Sequence, residues 1–198
     1  MSINEKLLLE RSKAGDVAAF EILIEAYQKK IFNLAYRIVG NYDDAGDQAQ
    51  EALIRIFKSI ANFKEQSSFS TWVYRITTNV CLDEIRRKKN KRTLSLDEEI
   101  HFEDGEMKRQ IISDDPLPDE IAEREELRSI VSSAIESLPE EQRIVITLRD
   151  IQGLSYEEIA EVLDCPSGTV KSRINRARQA LKIVLLTKRE HLNEVYVK

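Results

Sequence analysis

A chain of 198 residues, 42% hydrophobic and with only six glycines and four prolines, is long enough for one or two small packed domains and short of the turn signals of an all-β fold. No run of about 18 apolar residues occurs, which excludes a membrane-spanning helix, and Glu5, Glu10 and Arg11 interrupt the apolar patch at the N-terminus, so no signal peptide is expected. The net charge of −5 hides a segregation: Arg86 to Arg92 holds six bases, Thr169 to Arg189 holds seven bases and no acid, and Thr93 to Glu126 holds thirteen acids against three bases.

The expected fold is all-α, with two helical domains joined by a flexible acidic linker. Residues 1–92 read as the first domain. Phe20, Ile24, Tyr27, Ile31, Leu34 and Ile38 recur at helical spacing, and Gly40-Asn41 stops that helix. A second helix is expected from Asp43 to Ile60. Its inner stripe is Ala49, Ala52, Leu53, Ile56, Phe57 and Ile60, and its outer face carries Asp47, Gln50, Glu51, Ile54, Arg55 and Lys58. Gly46 inside it costs about 1 kcal/mol of helix stability. Asn62 to Ser70 reads as a turn, and a third helix follows to about Lys89.

Residues 93–120 lack sustained periodicity and contain Asp114-Asp115-Pro116-Leu117-Pro118, which marks a linker. The second domain is placed at 121–187, with 188–198 as a tail. Its first helix carries Leu127, Ile130, Val131, Ala134, Ile135 and Leu138. Pro139 suits the first turn of the next helix, which Gly153 ends. Ser155-Tyr156-Glu157-Glu158 forms a capping box, Asp164-Cys165-Pro166 a turn, and Ser167 caps a last helix with Val170, Ile174, Ala177 and Leu181 facing inward.

Two helices joined by so short a turn make a helix-turn-helix, the second helix being the DNA reader. Its outer face offers Ser167, Thr169, Lys171, Ser172, Arg173, Asn175, Arg176 and Arg178. Arginine and lysine neutralise phosphates, and arginine and asparagine make paired hydrogen bonds to base edges. In the first domain, FSTWVYRITTNVCLDEIRRKKNKR (residues 69–92) combines aromatics with hydroxyls, amides and a basic tail. Single-stranded DNA is held by such a combination of stacking and cationic track. Trp72 and Tyr74 read equally well as core residues; Arg75 and Asn79 sit better on a wet face.

The run LPEEQRIVITLRDIQGLSYEEIAEVLDCPSGTVKSRINRARQALK resembles region 4 of bacterial RNA polymerase sigma factors of the extracytoplasmic-function (ECF) group in the sigma-70 family. NYDDAGDQAQEALIRIF and residues 69–92 resemble region 2 of the same family. The resemblance covers about residues 5–187. It implies a promoter-specificity subunit that binds core polymerase through its β′ and β subunits. It places docking on Asp47, Gln50, Glu51, Ile54, Arg55 and Lys58. Minus-ten recognition falls to Lys64, Gln66, Ser67, Ser70, Thr71, Trp72, Tyr74, Arg75, Thr78, Asn79, Arg86, Arg87, Lys88 and Lys89. The loop Asn62 to Ser68 takes a flipped base, and the last helix reads the minus-thirty-five duplex. The acidic linker either enters a basic channel of the polymerase or is a plain tether. A membrane-bound anti-sigma factor is a further implied partner.

Cys81 and Cys165 form no CxxC pair, which suits a reducing, cytoplasmic setting. No metal or other cofactor is expected, because His101 and His191 lie far from each other and from both cysteines. An enzyme such as a nuclease is disfavoured by the lack of a compact carboxylate cluster. A duplex-binding regulator stays open as the alternative, although it leaves residues 69–92 unexplained.

Overall fold

A computed structural model describes residues 3–94 and 118–196, all of whose regular elements are helical. Most of the expected acidic linker, 95–117, and the last two residues of the tail lie outside the described residues. None of the described helices is long and apolar enough to cross a membrane.

The first unit is built from α1 (Ile3–Lys13), α2 (Val17–Val39), α3 (Tyr42–Ser59) and α4 (Phe69–Leu94). Helix α2 starts where the Asp16 carboxylate accepts the Ala19 N–H at 3.0 Å. It stops at Gly40, whose left-handed backbone lets its N–H donate to the Tyr36 carbonyl at 2.8 Å. All six residues of its predicted stripe are buried, and burying each large side chain stabilises by about 1.5–3 kcal/mol. Asn41 then caps α3 by accepting the Asp44 N–H at 3.0 Å. Helix α3 ends one residue before the predicted limit and tightens into a 3-10 turn over Ile60–Asn62. Phe57, placed inward by periodicity, is instead 47% exposed, with its ring edge-on to that of Phe20 at 4.9 Å.

Gly46 lies inside α3, and nothing stands within 4 Å of where a Cβ would sit. Gly46→Ala is therefore expected to raise stability by about 1 kcal/mol. The measurement is a higher urea midpoint at unchanged slope.

The second unit comprises α5 (Pro118–Glu136), α6 (Glu140–Ile146), α7 (Tyr156–Leu163) and α8 (Ser167–Tyr196). Leu127 does not join the inner face of α5; it is exposed, while Ala134, Ile135 and Leu138 are buried. Pro139 precedes α6 by one residue and does not enter its first turn: its carbonyl accepts the N–H groups of Gln142 and Arg143, both at 2.9 Å. A π turn over Thr147–Ile151 follows, with the Gln152 N–H reaching back five residues to the Thr147 carbonyl. Gly153 then reverses the chain at φ 75°.

The two units touch. Arg143 of α6 donates to the Ile38 carbonyl at the end of α2 at 2.7 Å and to the Glu136 carbonyl at 3.2 Å. Burial pushes its pKa below the usual arginine value. Helix α7 packs on α4, where Thr71 Oγ1 donates to Glu158 Oε1 at 2.7 Å. The buried residues of both units join into one apolar cluster.

Candidate nucleic-acid interface

The helix-turn-helix forms as its local chemistry dictates. Ser155 Oγ accepts the Glu158 N–H at 3.1 Å, and the Glu158 carboxylate accepts the Ser155 N–H at 2.8 Å. These bonds, the one from the Ser155 N–H first and then the one from Thr71, hold the Glu158 carboxyl below the usual glutamate range. Asp164 ends α7 in a left-handed conformation, φ 48°, and the Cys165 N–H closes on the Ala160 carbonyl. Ser167 is the first residue of α8 and not the residue before it; the Pro166 carbonyl accepts the N–H groups of Thr169 and Val170. Val170, Ile174 and Ala177 are buried and Leu181 half-buried, so α8 is anchored as its periodicity predicts.

That anchoring turns Ser167, Lys171, Ser172, Asn175, Arg176 and Arg178 outward, with Thr169 and Arg173 half-buried. The basic side chains are not equally available. Arg178 gives two N–H groups to the Asp150 carboxylate, and Arg173 lies 3.8 Å from that of Glu141. Among the described residues, Arg176 makes only a long 3.4 Å contact with the Ser172 carbonyl.

On the first unit, α4 splits the predicted single-strand face in two. Arg75, Asn79, Arg86, Arg87, Lys88 and Lys89 are exposed and Ser70 half-exposed. Thr71, Trp72, Tyr74 and Thr78 are buried. Thr71 lies under α7, and burial raises the Tyr74 pKa. Trp72, 7% exposed, sits in an aromatic cluster with Phe63 at 5.0 Å and Phe69 at 5.7 Å. Of its two readings, this structure adopts the core one. Four bases of the tail are already partnered: Arg86 with Asp83, Arg87 with Glu84, Lys88 with Asp44 and Lys89 with Glu140. A polyanion must exchange for these partners.

The loop ahead of α4 is held at both ends. Phe63 is buried, and Ser68 Oγ accepts the Thr71 N–H at 3.1 Å. Between them Lys64 and Gln66 are exposed and Ser67 half-buried.

On α3, Asp47, Gln50, Ile54, Arg55 and Lys58 are exposed and Glu51 half-buried, a continuous outer stripe. Arg55 pairs with Glu51 at 2.7 Å and reaches Asp83 of α4 at 3.4 Å. Ile54 is 40% exposed. Phe57, which linear periodicity assigned to the core, extends this apolar content at the surface.

Cys81 and Cys165 are free thiols, and burial pushes Cys81 up to about 12. Among the described residues no group of three or more His, Cys, Asp or Glu is placed to hold a metal ion.

Two family models match the chain: one described as Sigma-70 region 2 over residues 23–91, and one described as Sigma-70, region 4 over residues 128–181. The chain is similar to the ECF RNA polymerase sigma factor SigW of Bacillus subtilis, 42% identical over 92% of this chain and 97% of that protein. It is similar also to the ECF RNA polymerase sigma-E factor of Escherichia coli K12, 41% identical over 90% of this chain and 93% of that one. Among solved structures, the fold matches the sigma factor RpoE of Bartonella quintana in complex with the anti-sigma factor NepR. The TM-score is 0.67 at 23% identity, over 84% of this chain and 96% of that one. CnrH in complex with the cytosolic domain of CnrY matches with a TM-score of 0.64 at 24% identity, over 93% and 98%.

Proposed function

Because this chain belongs to the ECF RNA polymerase sigma-factor family, we propose a division of its promoter-directing work among three faces. The outer stripe of α3 docks on core polymerase through Asp47, Gln50, Glu51, Ile54, Arg55 and Lys58, with Phe57 adding apolar contact. The loop residues Lys64, Gln66 and Ser67 and the exposed track of α4 take the melted minus-ten strand. Helix α8 enters the major groove of the minus-thirty-five element.

The observation that carries this reading is the pairing of two different DNA-facing elements in one chain. The basic outer face of α8 suits duplex, and the exposed Arg75–Asn79–Arg86 track beside the loop suits a single strand. Thr71 reaches DNA only when the α4–α7 contact separates, because its hydroxyl is bonded to Glu158. Work of this kind is done in the cytoplasm, as a specificity subunit without catalytic residues of its own. An anti-sigma factor is the partner expected to oppose it, as NepR is bound to RpoE of Bartonella quintana.

Run-off transcription with bacterial core polymerase tests the proposal. A promoter-dependent product should appear only when the chain is added, and core should retain the chain in a pull-down. Failure of both across a promoter library would overturn it. Binding to duplex without polymerase, with no core retention, would favour a stand-alone regulator.

A further inference from the structure

Three described residues near the loops of the first unit have left-handed backbone: Gly15, Gly40 and Glu65. Glycine adopts that region freely; a glutamate is strained there and must be held. Glu65 stands at φ 55° in the middle of the loop ahead of α4, between Lys64 and Gln66. Lys13, the last residue of α1, holds it by donating from Nζ to Glu65 Oε1 at 2.9 Å. The Lys13 ammonium also lies 6.0 Å from the centre of the Phe63 ring, the buried anchor at the start of the same loop. The neighbouring ammonium holds the Glu65 carboxyl below the usual glutamate range.

The end of α1 that carries Lys13 is tied to the start of α2. Arg11 grips Asp16 with two N–H groups at 2.9 and 2.6 Å, and Asp16 is the residue that caps α2. Gly15 makes the turn between them at φ 94°. A line of contacts therefore runs from the start of α2, through the end of α1, to the centre of a loop 52 residues further along the chain.

We infer that Lys13 is a positioning residue for minus-ten recognition: its pair with Glu65 sets the loop path that presents Lys64, Gln66 and Ser67 together to an extruded base. The inference rests on the proposed function and adds α1 to the specificity apparatus. The pair has a second effect. It neutralises a carboxylate that would otherwise face the phosphates of the captured strand.

The test is run-off transcription with core polymerase on a preferred minus-ten element and on matched templates with single-base changes in it. Lys13→Ala should lower the ratio of preferred to changed template by about three- to tenfold, the scale of one exposed ion pair together with a relaxed left-handed residue. Lys13→Arg should keep the ratio. The exchanged pair Lys13→Glu with Glu65→Lys should recover it, where either substitution alone does not. Retention on core and the urea midpoint should stay near wild type. An unchanged ratio in Lys13→Ala, or equal loss on every template, would overturn the inference and leave the pair a structural contact. If wild type itself gives no promoter-dependent product, the proposed function fails first, and that result is read from the wild-type lane alone.

Discussion

Arg176→Ala is expected to lower transcription from a promoter with an intact minus-thirty-five element by about 5- to 150-fold, the equivalent of one lost bidentate base contact worth about 1–3 kcal/mol. The neighbouring arginines are held more firmly than Arg176. Arg178 would have to leave two hydrogen bonds with Asp150, and Arg173 is half-buried beside Glu141. Arg176 is exposed and, among the described residues, carries only a 3.4 Å contact to the Ser172 carbonyl on its own helix, so of these three it is the least costly to redirect. The buried stripe of Val170, Ile174 and Ala177 is untouched by the substitution, and the helix should stay folded. The measurement compares intact and scrambled minus-thirty-five elements at one salt concentration. Loss on the intact element alone marks a base reader. Equal loss on both marks a phosphate contact, accompanied by a fall of about one in the salt slope, and removes Arg176 from the base-reading set.

The parts of the fold legible in the sequence are those governed by local chemistry. The Ser155–Glu158 capping box, the Gly40 stop and the inner stripes of α2 and α8 depend on residues within a turn or two of each other. Composition and spacing therefore identify them. Periodicity names a face but not how far the partner helix extends over it. That is why Phe57 and Leu127, on the inner stripes of α3 and α5, finish exposed. The π turn at Thr147–Ile151 carries no spacing signal and shifts the register before Gly153. Helix α1 carries little periodic signal because its contacts are mixed: Leu9 is buried and Leu8 half-buried, while polar bonds such as that from the Tyr27 hydroxyl to Glu5 at 2.6 Å supply the rest.

The same limit applies to the candidate interface. A threonine reads as polar in a linear pattern, yet Thr71 and Thr78 are buried because α4 is covered by neighbouring helices on more than one side. Arg75 and Asn79 stay wet, as their types suggested. The Lys13–Glu65 pair had no linear signature, because 52 residues separate its members. The remaining trace in the sequence is the absence of a glycine where the loop turns left-handed.

Phe69→Ala is expected to destabilise the first unit by about 3–5 kcal/mol and to release Trp72. Phe69 opens α4 and is 2% exposed. Its ring meets Tyr27 edge-on at 5.3 Å and stands 5.7 Å from both Phe63 and Trp72. Truncation therefore leaves a cavity where α2, the loop anchor and the first turn of α4 converge. Trp72 is the only tryptophan of the chain, so its emission reports on this cluster without labelling. A red shift toward the solvated value and a lower urea midpoint should accompany the substitution. Phe69→Leu, which keeps most of the volume, should cost less than about 1.5 kcal/mol. The consequence for function follows from geometry: the anchor Phe63 and the cap at Ser68 both lose support. Opening of the minus-ten region, read by permanganate reactivity of unpaired thymines, should fall in Phe69→Ala while duplex binding by α8 persists. A native emission maximum together with an unshifted midpoint would mean that the aromatic cluster does not hold this end of α4.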